Sequence, residues 1–378
     1  MAFTSKRTAE LMWATWMRRA LALASLAQGY TSPNPLVGAV VLDAQGQLVG
    51  EGFHARAGEP HAEVGALQQA GDAARGGTLV VTLEPCCHHG RTPPCTEAVL
   101  RAGIVRVVIA LEDPDPRVAG GGISQLRAAG VEVISGVLRD LAAEQNRAFL
   151  HRVQTGRPWG VLKWAMGLDG RTALTNGESQ WISGPRARGW VHQLRSQVDA
   201  VIVGGGTVRA DDPLLTSRGR RTPEPLRVVF SRSLALPEHA QLWDVAVAQT
   251  LIAHGPEQVD KPLPKGPEQL VLPACDPSEL MLHLAQRGCN RVLWECGPEL
   301  AAAALQQGCV QEVSAVVAPK LMGGVSARTP LGNLGFTGMD QVWHSDGVEI
   351  NPLGDDWLIQ MRLDHARVSG ASVRRSEL

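Results

Sequence analysis

The chain of 378 residues is too long for one ordinary domain, and at roughly 150 residues per domain it predicts two or three. Hydrophobic residues make up 44% and charged residues 19%, which provides enough apolar material for packed cores and too little charge for a disordered chain. The formal net charge of -1 excludes the strongly basic balance of a protein whose main partner is nucleic acid.

The N-terminal segment does not have the pattern of a secretory signal. Its apolar residues recur at helical spacing, and Arg18 and Arg19 interrupt the run. No later segment contains the ~18 to 20 consecutive apolar residues of a membrane span. Three of the seven cysteines lie within residues 86–95, a clustering that favours metal binding over disulfides in a chain without an export signal. We therefore expect a cytoplasmic protein.

The first part of the chain alternates between helical and strand patterns, which predicts an α/β sheet covered by helices. A β-hairpin is predicted where two apolar runs flank a Gly-containing turn, and Pro60 is suited to open a helix. The predicted helices are 8–29, 61–71, 95–103 and 122–130, and the predicted strands are 36–43, 47–54, 77–85, 105–113 and 131–136.

A helical segment from residue 137 runs into turn-rich residues 154–158, which mark the best candidate for a domain boundary. Beyond the boundary, strands are predicted near 160–166, 198–206, 226–231, 291–298, 310–323 and 357–363, with helices at 185–197 and 299–308. To the proline-rich stretch 233–279 we assign no element. The sequence predicts two α/β domains, residues 1–150 and 157–370.

Three short motifs of the first domain together predict a catalytic zinc site. His61-Ala62-Glu63 opens a helix, Pro85-Cys86 ends a strand, and Cys95 opens the next helix. Each motif is common by chance, but a catalytic zinc takes three protein ligands and leaves the fourth position for water. His61, Cys86 and Cys95 supply three ligands, and the metal brings the pKa of the bound water towards ~7.

Glu63 is then the general acid–base and not a ligand. It would take the proton of the water and deliver it to the ring nitrogen and the departing ammonia, as the glutamate of base deaminases does. The alternative is a closed structural zinc with a fourth ligand from Cys87, His88 or His89. Substitution Glu63→Gln separates the two, because only a catalytic zinc predicts near-complete loss of activity with zinc retained.

Four blocks of the first domain resemble the family of bifunctional riboflavin biosynthesis deaminase-reductases. They are SPNPLVGAVV, GEGFHARAGEPHAEV, VTLEPCCHHGRTPPC and EDPDPRVAGGG, and the eight-residue gap between the cysteines, which contains HHGRTPP, is the most specific feature. The resemblance implies a cytidine-deaminase-like α/β/α domain in which Asn34 holds a pyrimidine and His54, Arg91 and Asp113 line its phosphoribosyl side. A guanidinium such as that of Arg91 also suits a phosphate on physical grounds. Asp115 departs from the family, in which asparagine is usual.

The second domain carries a Gly-rich loop at Gly204–Gly206, directly after a predicted strand. Such a loop brings backbone N–H groups close to a phosphate. The dinucleotide fingerprint is absent, because Arg209 occupies the third glycine position, and the loop alone is better explained as a tight turn. A second strand–Gly–helix unit around Gly297 offers another phosphate position, so nucleotide binding and simple turns remain evenly matched.

Five blocks of the second domain resemble the reductase half of the same family: LKWAMGLDGRTA, GESQWISGPRAR, VGGGTVRADDPLLTSR, ECGPELAAAAL and APKLMGG. The resemblance implies a dihydrofolate-reductase-like α/β domain that binds NADPH. The implied NADPH contacts are Ala165, Trp181, Thr207, Asp211 and Gly297. The implied substrate contacts are Lys163, Ser179, Arg195, Leu215, Arg218 and Glu295. Ser231 departs from the family, which commonly has aspartate there. From the residues alone, Trp181, Arg195, Arg218 and Lys163 remain open to structural or surface roles.

The predicted function is therefore two consecutive steps of riboflavin biosynthesis. A diaminopyrimidinone ribosyl-phosphate loses ammonia by hydrolysis, and NADPH then reduces the ribosyl group to ribityl. We expect one Zn²⁺ per chain, NADPH, a phosphorylated pyrimidine substrate, no nucleic acid and no membrane, and a homo-oligomer is compatible with the sequence. Two alternatives stay open: a nucleic-acid base deaminase whose second half docks RNA, and a zinc-stabilised binding protein without turnover.

Overall fold

The computed structural model describes residues 2–88, 93–114 and 120–363. It divides the chain into two compact units, residues 1–156 and 157–378. Each unit contains its own sheet with helices, which confirms the predicted α/β class. Over the residues described, every helix is too short or too polar to cross a bilayer.

Five strands form the sheet of the first unit. They are β1 (Gly38–Leu42), β2 (Leu48–Phe53), β3 (Thr78–Leu83), β4 (Arg106–Leu111) and β5 (Glu132–Ser135). Their order in the sheet is β2-β1-β3-β4-β5, with β1 antiparallel to both neighbours and β3, β4 and β5 parallel. The central strands are buried along nearly their whole length, which is why they are continuous apolar runs rather than alternating patterns.

Six helices accompany this sheet. They are α1 (Ala2–Ser25), α2 (Ala62–Ala70), α3 (Cys95–Arg101), α4 (Gly121–Ala128), α5 (Arg139–Gln145) and α6 (Arg147–Thr155). Glycines in the hairpin let two of them approach closely. A Cβ on Gly38 would lie 2.0 Å from the carbonyl oxygen of Ala20 in α1, and one on Gly52 would lie 2.4 Å from that of Ala62 in α2. The hairpin therefore fixes the start of α2 at a position that only glycine allows.

Nine strands form the sheet of the second unit. They are β6 (Trp159–Gly167), β7 (Ala200–Gly204), β8 (Leu226–Phe230), β9 (Thr250–His254), β10 (Glu268–Val271), β11 (Arg291–Trp294), β12 (Glu312–Ala318), β13 (Ser345–Leu353) and β14 (Asp356–Leu363). The order is β10-β9-β8-β7-β11-β6-β12-β14-β13. Only the pairings of β14 with β12 and β13 are antiparallel among these described strands.

The helices of this unit follow the ends of its parallel strands. They are α7 (Pro185–Ser196), α8 (Gly205–Asp211), α9 (Pro277–Gln286) and α10 (Pro298–Gln306). The late strand β11 lies between β7 and β6, so the carboxyl ends of β6, β7, β8 and β11 share one edge of the sheet. In open α/β sheets, ligands bind outside this edge where the strand order reverses.

Four predictions about elements were incomplete. The helix predicted from residue 137 is two helices separated at Asn146, whose backbone departs from helical geometry with φ -97° and ψ 11°. The side-chain amide of Asn146 accepts from the backbone N–H of Leu36 at 2.8 Å and donates to its carbonyl at 2.9 Å. The stretch 233–279 contains β9 and β10, and the end of the chain contains β13 in addition to β14. The Gly204–Gly206 loop opens α8 directly, so it is not a simple turn.

Candidate active sites

The first unit brings its predicted metal ligands together at one end of the sheet. His61 is the N-cap residue of α2, where the backbone changes from extended to helical. Cys86 follows β3, and Cys95 is the first residue of α3. The ligand atoms of the three side chains all lie within 4.8 Å of one another.

Contacts among these side chains define the arrangement. His61 Nδ1 lies 3.2 Å from Cys95 Sγ and 3.6 Å from Cys86 Sγ. The backbone N–H of Cys95 donates to Cys86 Sγ at 3.3 Å, a bond that favours the thiolate form. One imidazole and two sulfurs are a donor set that Zn²⁺ takes in proteins, with one position left for water.

The predicted alternative ligands do not join this group as far as the structure describes them. Cys87 and His88 are absent from the clustered ligand atoms, and His89 lies outside the described residues. The Sγ of Cys87 instead packs against the start of α4, where a Cβ on Gly121 would lie 2.9 Å from it. The described geometry thus supports a three-ligand site rather than a closed four-ligand one.

The contacts change the acidity of the three groups. A hydrogen bond from Cys95 lowers the pKa of Cys86 to about 4, and the hydrogen bond with His61 acts in the same direction. The same Cys95–Cys86 bond, together with burial, raises the pKa of Cys95. The hydrogen bond with Cys86 raises the pKa of His61. Because metal ligands bind deprotonated, a metal at this site competes with the proton held by Cys95.

Glu63 lies in the first turn of α2 and is 3% exposed. Burial raises the pKa of its carboxyl. His61 and Glu63 are only two residues apart, but His61 is the cap and not a helical residue, so both side chains reach the same end of α2. A buried carboxyl with a raised pKa is suited to accept a proton and return it within one reaction cycle.

Asn34 and His54 lie beside the cluster. The Asn34 amide Nδ2 donates to His54 Nε2 at 3.0 Å, and His54 Nδ1 donates to the carbonyl of Pro60 at 3.2 Å. The rings of His54 and His61 are perpendicular with centroids 5.4 Å apart. Burial lowers the pKa of His54, which favours the neutral ring that these two bonds require. The structure thus brings Asn34 and His54 next to the predicted metal ligands.

The remaining residues of the predicted pyrimidine site are placed only in part. Asp113 follows β4, the parallel neighbour of β3, so it lies at the same edge of the sheet as Cys86. Arg91 lies outside the described residues, as does Asp115, the departure from the family pattern.

In the second unit, three predicted substrate residues form a largely buried ionic cluster. Arg195 donates to Glu295 through Nε at 2.6 Å and through a terminal nitrogen at 3.0 Å, and Lys163 Nζ lies 3.8 Å from the same carboxylate. Lys163 is on β6 and Glu295 follows β11, so the pairing of these strands brings them together. Burial acts to raise the pKa of Glu295, but the charges of Arg195 and Lys163 outweigh it and lower the pKa to about 2. Burial lowers the pKa of Lys163.

The loop after α8 supplies two of the other three predicted substrate residues. Leu215 and Arg218 have positive φ angles of 55° and 58°, Leu215 is buried and Arg218 is exposed. A terminal nitrogen of Arg195 donates to the carbonyl of Thr216 at 3.1 Å, which ties this loop to the ionic cluster. Ser179 donates to Asp211 at 3.3 Å and so joins a predicted substrate residue to a predicted cofactor residue.

A cavity of about 850 Å³ lies at the carboxyl edge of the sheet. Thr207 and Gly297 line it, and a Cβ on Gly297 would be 3.7 Å from Thr207 Oγ1. Gly205 also lines it, and a Cβ there would lie 2.9 Å from Ser231 Oγ, so the backbone approaches the end of β8 closely. Ser231 is thus small enough to pack against the Gly-rich loop, where aspartate would be larger.

Three predicted cofactor residues do not line this cavity. Ala165 packs against the small apolar cluster of Ala187, Val316 and Leu358. Trp181 is 64% exposed with the guanidinium of Arg188 over its ring at 4.6 Å. Asp211 is exposed near the end of α8 and bonded to Ser179.

Sequence reasoning missed two residues near these sites. Arg232 lines the cavity directly after β8 and is exposed; its position after a strand was the available signal. His192 lies one turn before Arg195 on α7, and its Nδ1 is buried with no described partner. Burial first, and then the charge of Arg195, lower the pKa of His192. Its helical spacing from Arg195 was the only signal for it.

Comparisons with known proteins match both units. The model described as the cytidine and deoxycytidylate deaminase zinc-binding region matches residues 13–111. The model described as the RibD C-terminal domain matches residues 158–359. The match to the zinc-binding region overlaps His61, Glu63, Cys86 and Cys95, and the RibD match spans the ionic cluster and the cavity.

Relatives and solved structures cover almost the whole chain. The riboflavin biosynthesis protein RibD of Synechocystis is 50% identical over 353 residues, which span 91% of this chain and 94% of the relative. The structure of Acinetobacter baumannii RibD superposes with a TM-score of 0.85 at 39% identity, covering 94% of this chain and all of that one. A Thermotoga maritima structure, named as a diaminohydroxyphosphoribosylaminopyrimidine deaminase and 5-amino-6-(5-phosphoribosylamino)uracil reductase, has the same TM-score and coverage at 34% identity.

Proposed function

Because this chain belongs to the RibD family of riboflavin biosynthesis proteins, a bifunctional family of deaminase-reductases, we propose specific residues for each of its two activities. Residues 1–150 carry the zinc-dependent deaminase, and residues 157–370 carry the NADPH-dependent reductase. Membership of this family argues against the two alternatives that the sequence left open, the nucleic-acid base deaminase and the zinc-stabilised binding protein. The clustering of His61, Cys86 and Cys95 within 4.8 Å is the observation that carries the deaminase assignment.

The deaminase substrate is the diaminopyrimidinone ribosyl-phosphate for which the Thermotoga relative is named. His61, Cys86 and Cys95 would hold a zinc ion, which would supply a Lewis acid that lowers the pKa of water towards ~7. Glu63 accepts the proton of the attacking water at its buried carboxylate and returns it to the ring nitrogen and the leaving ammonia. Asn34, fixed by its bond to His54, orients the pyrimidine ring. Asp113 and Arg91 bind the phosphoribosyl side.

The reductase takes the deaminated product. Bound NADPH would supply a hydride for the ribosyl carbon, and the ring oxygen released as the ribose opens to ribityl would then need a proton. Lys163 is the source of that proton, because its largely buried ammonium has a lowered pKa and lies 3.8 Å from the ionised Glu295 carboxylate. Ser179, Arg195, Leu215 and Arg218 position the phosphorylated substrate around this pair. Orientation and exclusion of water are the remaining tasks of the domain.

The cavity at the ends of β7, β8 and β11 fits part of a dinucleotide. Its volume lies within the usual range of cofactor sites, roughly 300–1,000 Å³. Gly204, Gly205 and Gly206 line the cavity, where their backbone can approach a phosphate, and Thr207 and Gly297 lie next to each other in its wall. Arg232 lines the same cavity, and both of its neighbours in the chain, Ser231 and Ser233, are uncharged. A cation without a neighbouring acid suits the 2′-phosphate that distinguishes NADPH from NADH. Ala165, Trp181 and Asp211 complete the cofactor site from outside the cavity. Since NADPH and the phosphorylated substrate are cell metabolites, we place the enzyme in the cytoplasm.

The deciding experiment incubates the zinc-loaded full chain with the diaminopyrimidinone ribosyl-phosphate and follows ammonia release and NADPH oxidation separately. We expect ammonia release without NADPH, and NADPH oxidation only after deamination. Zinc binding without ammonia release would contradict the deaminase assignment. Ammonia release without later NADPH oxidation would contradict the reductase assignment.

A further inference from the structure

Glu84 is a buried carboxylate that the two catalytic schemes leave without a role. It lies immediately before Pro85-Cys86 and is 3% exposed. No cationic side chain of the described residues pairs with it. A buried charge without an opposite charge needs hydrogen bonds to offset the loss of water.

Three backbone N–H groups supply these bonds. Glu84 Oε2 accepts from Asp113 at 3.1 Å and from Gly120 at 3.0 Å, and Oε1 accepts from Ile123 at 3.0 Å. Glu84 Oε2 therefore binds the backbone at residue 113 and again at residue 120. The other oxygen holds the first turn of α4.

Packing explains why glycines occupy the start of α4. A Cβ on Gly122 would lie 2.1 Å from the carbonyl oxygen of Pro85 and 3.2 Å from Glu84 Oε1. The chain of α4 thus lies directly against the segment that leads to Cys86. Thr96, next to Cys95, donates to Gln125 of α4 at 2.7 Å and adds a second link between α4 and the metal-ligand segments. These contacts account for the glycine run at the end of the block EDPDPRVAGGG.

We propose that Glu84 is a positioning residue of the deaminase site, which fixes Asp113 relative to the segment that carries Cys86. The carboxylate never contacts the substrate in this scheme. It holds the chain that binds the phosphoribosyl side at a set distance from the reacting ring. The inference rests on the proposed function, because the role of Asp113 belongs to it.

The test compares Glu84→Gln with wild type in the zinc-loaded full chain. The amide keeps the shape but turns one acceptor oxygen into an NH₂ donor that faces backbone donors. We expect KM for the diaminopyrimidinone ribosyl-phosphate to rise about tenfold, the effect of one lost bond to a charged group. The kcat, the zinc content and the reductase activity on deaminated product should stay within twofold of wild type. Glu132→Gln, which removes an exposed carboxylate on β5, is the control and should change neither constant.

A purely structural role predicts a different result: less zinc or a lower melting temperature, with KM and kcat per zinc-containing molecule unchanged. That result overturns the proposal. If Glu84→Gln does not fold, Glu84→Asp decides instead, since a shorter carboxylate keeps the charge but reaches fewer of the three donors, and an unchanged KM overturns the proposal.

We call the three hydrogen bonds from backbone N–H groups to Glu84 the clamp. Hydrogen exchange on wild type tests this clamp independently of activity. The amides of Asp113, Gly120 and Ile123 should exchange slowly, and exchange at the rate of an open loop overturns the proposal. Absence of ammonia release by wild type, with these amides protected, would instead contradict the proposed function and leave the clamp intact.

Discussion

Glu63 and Glu295 are both buried carboxyl groups, but their surroundings shift their acidity in opposite directions. Burial dominates at Glu63 and raises its pKa, whereas two neighbouring cations outweigh burial at Glu295 and lower its pKa to about 2. Glu63 is therefore suited to exchange a proton, whereas Glu295 is held ionised. The difference arises because Arg195 and Lys163 lie beside Glu295, and it cannot be read from the sequence, since both residues are glutamate.

Glu63→Gln should abolish deamination and leave the metal in place. Loss of a general acid–base costs typically about 10²–10⁴-fold in rate. We expect ammonia release to fall by at least this range, with zinc content unchanged by elemental analysis. Reduction of separately supplied deaminated product is the internal control. Retention of ammonia release would exclude Glu63 from proton transfer.

Glu295 should make the second unit sensitive to acid. Its pKa is lower in the folded chain than the ~4.3 of a free glutamate, so the folded state binds fewer protons and stability rises with pH. The contribution is complete above about pH 4.3 and is lost as the pH falls towards 2. Denaturant titrations of the second unit at pH 5 and pH 3 should show a smaller difference in Glu295→Gln than in wild type. Glu268→Gln, an exposed carboxylate, is the control.

Arg232 should decide the choice of nicotinamide cofactor. Arg232→Glu places a negative charge where the 2′-phosphate is expected, so the Kd for NADPH should rise about tenfold or more. Binding of NADH, which lacks that phosphate, should change little. Tryptophan fluorescence quenching measures both affinities without turnover, and Arg127→Glu, a surface change in the first unit, is the matched control. An equal change for both cofactors would place the 2′-phosphate elsewhere.

Element by element, the sequence predicts what is locally determined. Buried strands such as β3 and β4 consist mostly of apolar residues, and the proposed zinc ligands stand at element ends marked by proline, so both can be inferred without tertiary contacts. The break between α5 and α6 cannot, because it depends on Asn146 bonding to Leu36 far away in the chain. The strand β10 is short and mostly exposed, so it lacks an apolar pattern. The clamp at Glu84 cannot be predicted from the sequence either, because its donors are backbone N–H groups, which nearly every residue type has.

The contact between β2 and α2 gives a matched pair of glycine substitutions. Gly52→Ala would place Cβ 2.4 Å from the carbonyl oxygen of Ala62, so α2, which carries His61 and Glu63, must move. Such overpacking costs typically about 1–3 kcal/mol. We expect lower stability of the first unit in urea and reduced ammonia release. In Gly65→Ala on α2, the nearest atom is 3.9 Å away, so stability should rise or stay unchanged.

At the scale of the whole molecule, the two units have separate hydrophobic cores and only the first is expected to hold metal. A ligand that binds the folded state stabilises the unit it binds. Chelation should therefore lower the melting temperature of the first unit and abolish ammonia release. The second unit should keep its transition and its NADPH oxidation. Calorimetry with and without added zinc measures both, and a zinc-dependent second transition would contradict the separation.

The position of β11 and β12 on either side of β6 has a consequence for synthesis on the ribosome. The strand β6 opens the second unit, yet both of its neighbours in the sheet are translated near the end. The sheet of the first unit is complete once β5 has been made, so that unit can fold while translation continues. The strand β6 cannot pair on both sides until β12 has left the exit tunnel, so we expect its edges to stay open to misassociation during this interval.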